Sequence, residues 1–419
     1  MSAATPAEAK VASPAPRPRA LRRRDAFAPA VAILTGGGDR PYAIGLAGSL
    51  LGSGIPFDFI GSDDLDSPEL HDDPRVRFLN LRGDQNPDAP FGQKIGRILT
   101  YYARLIRYAT TSRAPIFHIL WNNKLEYLDR TLLMLFYRLC GKRLVFTAHN
   151  VNIRKRDGND SWLNRWTLRV QYRLVSHILV HTEQMKRELQ CDFSVDAAKV
   201  SVIPFGINNT VPDTDLTRAE ARKRLGLSAD EQVALFFGNI APYKGLEDLV
   251  TAFEQLVPAN PKLRLVIAGR PKGESSYWQR IQEKIRANGL GSSVVERIEY
   301  VPDADTEIYF KAADVVVLPY RHIFQSGVLF LGYNFGLPAI ATDVGSLSDD
   351  VIEGETGLIC KPRDAIDLAD CIRKYFSSTL YRQLDLRRRE IRNFAQERYS
   401  WTKVGEIARS VYQSLLARS

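Results

Sequence analysis

The strongest constraint on this chain is a set of short runs, rich in β-branched and aromatic residues, most of them apolar at consecutive positions. "AVAIL", "PFDFI", "VRFLN", "APIFHIL", "RLVFTA", "HILVHT" and "VSVIP" occur in the first half, and "QVALFFG", "LRLVIAG", "RIEYV", "DVVVLP", "PAIATD" and "TGLICKP" in the second. Strands apolar on both faces must be covered on both faces, and the segments between the runs have helical length and periodicity. Strand and helix therefore alternate, which gives parallel sheets flanked by helices. The fold class expected is α/β, with two Rossmann-like domains facing across a cleft and helices at the C-terminus. Ligands of such sheets bind beyond the carboxyl ends of the strands, so the active site belongs in the cleft.

The expected division is a disordered basic tail over 1–27, an N-terminal domain over 28–208 and a C-terminal domain over 209–399, with 400–419 packing back on the first. The polar stretch from Asn208 to Thr217, carrying Pro212 and two aspartates, marks the linker. A length of 419 residues suits two domains. No apolar run approaches the ~20 residues that cross a bilayer. Cys140, Cys191, Cys360 and Cys371 form no CxxC pair and no zinc-like spacing with histidine, so free thiols in a reducing, cytoplasmic compartment are expected. Six basic residues against two acidic ones in the first 25 positions contribute +4 of the net charge of +9. That tail lacks the apolar stretch of a secretory signal, and its prolines disfavour a transit helix.

Four short segments carry the chemistry. "ILTGGGDRPYAIG" runs from a strand through Gly36, Gly37 and Gly38 into a helix, which is either a plain tight turn or a loop whose N–H groups approach an anion. His149 ends the strand in "RLVFTAHN", either facing the ligand crevice or bonded within the core. In "FFGNIAPYKGLEDLV", Lys244 stands just before a helix, where its charge and the helix N-terminus would meet the same phosphate. Gln325, Ser326, Gly327 and Val328 form a small-residue helix start with the same capacity.

Taken in order, "TAHN", "VIPFGIN", "FGNIAPYKGLEDLV", "LVIAG", "AADVVVLPY" and "GLPAIATDVGSLSDDVIEGETGLICKPRD" resemble the family-4 glycosyltransferases. The resemblance implies a GT-B fold in which the second domain binds a nucleotide-diphospho-sugar, the first binds the acceptor, and a hexose is transferred with retention and without a metal or other cofactor. It implies that Lys244 holds the donor diphosphate beside Asn239, which stands where arginine is common, together with the Gly327 and Val328 amides. His149 would contact the sugar, and the Gly36–Gly38 loop would close on the donor. Many members carry two glutamates across the last helix start. Here Ile323 and Leu331 occupy those positions and neither can accept a hydrogen bond, so Gln325 or Ser326 is expected to serve the sugar and the ribose contact is unassigned. Asp349 lies in the region that orients the donor. The chain thus reads as a branch without the paired glutamates, working in cell-surface or extracellular polysaccharide assembly. The alternatives are a sugar-nucleotide epimerase and a non-catalytic binding or scaffold protein.

The acceptor side is legible as charge beside apolar surface. In "GQKIGRILTYYARLIRYATTSR", Ile95, Ile98, Leu99, Tyr102, Leu105 and Ile106 share one side of a helix, with Arg97, Arg104 and Arg107 opposite. Arg165, Arg169 and Arg173 recur at four-residue spacing beside Trp162 and Trp166. This combination suits an anionic membrane interface and an anionic acceptor, such as a glycan on a polyprenyl diphosphate at the cytoplasmic face. "SDDLD", Ser62 to Asp66, is expected to be a solvated loop rather than a metal site. No nucleic-acid-binding motif accompanies the basic charge, so no nucleic-acid partner is expected.

Overall fold

The computed structural model describes residues 28–417 except 87, 157, 208–210, 273 and 274. The basic tail expected over 1–27 lies outside the described residues. The first sheet contains β1 (Val31–Leu34), β2 (Phe57–Gly61), β3 (Val76–Asn80), β4 (Ile116–Ile119), β5 (Arg143–Ala148), β6 (His177–Val180) and β7 (Val200–Val202). The second contains β8 (Gln232–Phe237), β9 (Leu263–Ala268), β10 (Val294–Arg297), β11 (Val315–Leu318), β12 (Ala339–Thr342) and β13 (Gly357–Cys360). The orders are β3-β2-β1-β4-β5-β6-β7 and β10-β9-β8-β11-β12-β13. Six helices position the site: α1 (Arg40–Gly52), α2 (Phe91–Thr111), α3 (Trp162–Leu174), α4 (Leu246–Leu256), α5 (Gly327–Asn334) and α6 (Trp401–Ala417).

Alternate residues of each strand feed different cores, which is why the runs are apolar throughout. On β1, Val31 and Ile33 join the layer under α1 and α6, while Ala32 and Leu34 join the layer under α2 and α3. The run "RIEYV" was expected to be a strand, but the ladder lies three residues earlier. Val294 to Arg297 pair with Leu265 to Ala268, and the Gly269 N–H then takes the Arg297 carbonyl at 3.0 Å. The β9 partner ends there, so Tyr300 is left exposed.

The apolar side of α2 is wider than the sheet it covers. Tyr101, Tyr102, Leu105, Tyr108 and Ala109 are buried, whereas Ile95, Leu99 and Ile106, expected to pack, stand exposed beside Phe91. At ~100° per residue the exposed set forms one flank of the same face.

The supposed linker is tied down on the second domain. Val211 is in its core, the Thr214 hydroxyl donates to Glu307 at 2.8 Å, and Lys311 pairs with Asp213 at 2.9 Å. The last helix instead crosses to the first domain. Val404, Ala408, Tyr412 and Leu415 of α6 enter the core beneath α1, and buried His118 bridges the Tyr412 hydroxyl at 2.6 Å and the Thr147 hydroxyl at 2.7 Å. Tyr412→Phe leaves one imidazole nitrogen buried without its partner. A loss of ~1–3 kcal/mol is expected, read as a lower urea midpoint; an unchanged midpoint would mean that this bond does not hold α6.

Candidate active site

Each sheet has one point where neighbouring strands send their chains to opposite faces: between β1 and β4, and between β8 and β11. The turns that leave β1 and β8 carry the sequence-expected residues. Gly36 and Gly37 have φ of 61° and 75°, and a side chain on any of Gly36, Gly37 or Gly38 would collide with Trp121 or Arg82. Gly245 has φ 64°, and a Cβ there would strike the Pro319 carbonyl. Trp121 and Tyr320 are the counterparts on the other side of each gap, both two residues past the end of a strand.

Lys244 is only 6% exposed. Its ammonium lies 5.0 Å from the centre of the Tyr320 ring and reaches the Phe237 carbonyl at 3.4 Å. Among the described residues no carboxylate forms an ion pair with it, and burial lowers its pKa. The turn is held by Arg321, whose backbone N–H donates to Tyr243 at 2.8 Å. The Arg321 guanidinium makes a two-pronged contact to Asp248 at 2.9 and 3.0 Å, and pairs with Glu247 at 2.6 Å. The two acids of the α4 first turn are thereby used, and the lysine is left uncompensated.

A cavity of about 270 Å³ opens in front of Lys244 and gathers Asn239, Gln325, Ser326, Gly327 and Val328 around it. Ser326 caps α5, its hydroxyl accepting from the Leu329 N–H at 3.4 Å, and no acid occupies the first turn. Ile323 and Leu331 line the same space, so the expected glutamate positions present apolar walls. The Gln325 Oε1 is buried without a hydrogen-bond partner among the described residues, and its side chain also borders a second cleft cavity that includes Asp349.

His149 and the Gly36–Gly38 loop do not line the Lys244 cavity, whereas Asp39, Pro41 and Tyr42, which follow that loop, do. His149 is clamped by Trp121, stacked at 4.2 Å and 5°, and by the edge of Tyr42 at 4.6 Å. Its protonation follows from a chain of bonds. His181 Nδ1 faces the Ile203 carbonyl at 3.1 Å, so that nitrogen carries the proton. His181 Nε2 must then accept from His149 Nδ1 at 3.0 Å. The His149 Nε2 is left as a lone pair, buried with no partner among the described residues. Burial holds His149 well below the ordinary imidazole pKa and brings His181 down to about 4. A neutral histidine in this tautomer accepts a hydrogen bond from a hydroxyl but does not donate one.

The remaining candidates lie outside the cleft, on α2 and α3. Arg97 and Arg104 were expected to face an acceptor, but Arg97 is spent on Asp84 and the Asn86 carbonyl, each at 3.0 Å, and Arg104 reaches the Leu81 carbonyl at 3.3 Å. Arg165 is bound to Asp160 at 2.6 Å. Arg169, Trp162 and Trp166 are exposed. In "SDDLD", Asp63 is engaged by Asn80 and Asp66 by His71, and among the described residues no cluster of three or more metal-type ligands occurs. Sequence reasoning missed Tyr42, Trp121, Phe205, Tyr320 and Trp401. The signal for two of them was present, since "ILWNN" and "VLPYR" each place an aromatic just after an apolar run.

Two family descriptions account for most of the chain. Residues 36–210 match Glycosyltransferase Family 4, and residues 217–397 match Glycosyl transferases group 1. The chain belongs to glycosyltransferase family 4. Among curated relatives, the D-inositol 3-phosphate glycosyltransferase of Nocardia farcinica is 31% identical over 252 residues, covering 57% of this chain and 52% of that one. The Corynebacterium diphtheriae enzyme of the same name is 25% identical over 279 residues, 64% of each chain. The chain spans about half the length of the first curated relatives it matches. Sucrose-phosphate synthase from Thermosynechococcus elongatus superposes with a TM-score of 0.74 at 22% identity, over 94% of this chain and 100% of that one. Anabaena HepE, in complex with UDP-glucose, gives 0.70 at 15% identity, over 92% and 99%. These likenesses establish the GT-B fold of this family-4 member.

The tautomer assignment is checked by long-range proton–nitrogen correlation spectra of the imidazoles. His149 is expected as the neutral Nδ1–H form with no titration between pH 8 and pH 6; an Nε2–H signal, or a midpoint near the ordinary ~6.5, would refute it.

Proposed function

We propose that this family-4 protein is a retaining hexosyltransferase that uses a nucleotide-diphospho-sugar. The observation that carries the reading is Lys244, a buried ammonium with no carboxylate ion pair among the described residues. An uncompensated buried charge is costly, and a diphosphate entering the adjacent cavity offsets that cost while gaining the lysine and the α5 amides as partners. The match to two glycosyltransferase family descriptions supports the same reading.

In the proposed reaction the bond between the anomeric carbon and the diphosphate oxygen breaks. Charge builds on the departing phosphate where Lys244 and the Gly327 and Val328 amides lie, and that charge is what they stabilise. The acceptor hydroxyl attacks on the face the diphosphate leaves, and its proton passes to the departing phosphate oxygen. Gln325 accepts a hydrogen bond from a sugar hydroxyl through Oε1, and the buried Nε2 of His149 accepts one only once the side chains packed over it, Tyr42 among them, move aside. Lys244 supplies the cationic role, so the step is proposed to need no metal.

Ile323 and Leu331, apolar where the family often has glutamates, favour a second reading as a binding protein that does not turn over. Mass-spectrometric assay of nucleoside diphosphate release from UDP- and GDP-sugars, in the presence of a chelator and candidate glycan acceptors, separates the two. Acceptor-dependent release is expected, with Lys244→Ala slower by ~100–1,000-fold. Binding of a sugar nucleotide without release under any acceptor would support the binding protein instead.

The acceptor is proposed to be a glycan, or a glycan on a lipid carrier at the cytoplasmic face of the membrane, in polysaccharide assembly. Among the described residues no helix is long and apolar enough to cross a membrane. The first domain nevertheless exposes Phe91 (78%), Leu139 (78%), Trp162 (75%) and Leu132 (64%). Such side chains beside arginines suit the headgroup region of an anionic leaflet. Flotation is expected with phosphatidylglycerol vesicles and not with pure phosphatidylcholine, and Trp162→Ser with Trp166→Ser should reduce it; no preference for anionic lipid would remove the membrane from the reading.

A further inference from the structure

A second pocket, of about 400 Å³, lies on the first domain beside α2, outside the Lys244 cavity. Arg82, Lys94, Arg97 and Lys124 line it, and among the described residues no carboxylate does. Arg97 is neutralised by Asp84. Asp129 is buried one layer deeper, its Oδ1 accepting from Tyr102 at 2.8 Å and from Asn123 at 3.2 Å.

Arg82 is the decisive residue. It is 9% exposed, its guanidinium lies 5.1 Å from the Tyr101 ring centre, and among the described residues its one side-chain hydrogen-bond partner is Gln85 at 3.5 Å. Its Nη1 is buried with no hydrogen-bond partner among the described residues. A structural arginine in the same domain looks different: Arg77 donates two hydrogen bonds to the buried Asp58 carboxylate, at 2.6 and 2.8 Å. A buried guanidinium with an empty donor and two further ammonium groups around it fits an incoming anion of more than one charge.

We propose that this pocket binds a phosphoryl group carried by the acceptor. The inference rests on the glycosyl-transfer reading and names the chemistry of its second substrate. Arg82 and Gly37 touch, so the phosphate would sit behind the glycine loop whose continuation, Asp39 and Pro41, borders the donor cavity. Donor diphosphate and acceptor phosphate are then held on opposite sides of one loop. Phe91, Ile95 and Ile98 form an apolar wall beside the cations, and this wall suits a phosphate on a hydrocarbon chain as well as a soluble phosphate ester.

The test is calorimetric titration of the full chain with inorganic phosphate, geranyl phosphate, geraniol, UDP and GDP, for the wild type, Arg82→Gln, Lys94→Gln with Lys124→Gln, and Lys244→Ala. Saturable binding of a phosphate probe is expected, weakened at least ~10-fold in Arg82→Gln and in the double variant and unchanged in Lys244→Ala; ~10-fold is ~1.4 kcal/mol. Geranyl phosphate binding much more tightly than both geraniol and inorganic phosphate identifies a lipid phosphate; equal binding of the two phosphates identifies a soluble ester. The double variant removes only surface lysines, so it reads the site even if Arg82→Gln melts early. Phosphate probes that fail to bind, or whose binding survives the double variant and is lost in Lys244→Ala, overturn the inference. If a nucleoside diphosphate still binds in that case, the donor reading stands alone.

Discussion

Everything at the centre of this molecule depends on the gap that opens where a parallel sheet reverses its winding. At each gap two chains diverge to opposite faces, and backbone groups come together with no room for side chains. The protein meets the constraint the same way twice. A glycine-bearing turn follows the first strand of the domain, and the segment just past the fourth strand closes against it with an aromatic residue two positions on: Trp121 on Gly38 in one sheet, and in the other Tyr320 beside Lys244 with the Pro319 carbonyl on Gly245. The symmetry ends there. In the first sheet the aromatic stacks on a neutral histidine, whereas in the second it faces a cation. One gap therefore offers an acceptor lone pair and the other a positive charge, which suits a ligand with hydroxyls at one end and phosphates at the other.

The two sheets meet through a column of rings. Trp121 stands edge-on to Tyr42 at 5.8 Å, Tyr42 lies against Phe205 at 5.5 Å, and Phe205 stacks on Phe330 at 6.0 Å. Phe324, from the loop before α5, is buried in the core of the first domain. Ring contacts of this kind contribute ~0.5–1.5 kcal/mol each beyond area burial, so the rings help to hold the two domains together. Lys244 lies beside this column with no carboxylate ion pair among the described residues.

Much of this was legible in the sequence, for local reasons. Strands buried on both faces announce themselves by composition, and twelve of the thirteen runs coincide with a strand where expected, the thirteenth meeting one only at Arg297. The exception, "RIEYV", failed because its pairing is set by where β9 ends, a distant fact. The Lys244 turn and the Gln325–Val328 helix start were readable because a glycine turn next to a helix N-terminus is a local motif. What was not legible depends on contacts across the chain. Arg97 looks free in sequence and is bound to Asp84, while Arg82 is unremarkable in sequence and has an empty donor in a buried site. The helical periodicity of α2 identified its apolar side but not how much of it the sheet would cover.

The chain passes between the domains twice, near Ile207 and near Ser400, and the two passes are fastened to each other. The Ile207 N–H donates to the Tyr399 carbonyl at 3.2 Å, and the Trp401 indole N–H donates to the Ile207 carbonyl at 2.6 Å. Two threads sewn side by side act like the pins of a door. They resist sliding and twisting and leave swinging about their common line as the soft motion, so the mouth of the cleft opposite the seam changes width far more than its root. A ligand seated against Trp401 and Phe205 therefore keeps its floor as the mouth widens, and loses its lid first.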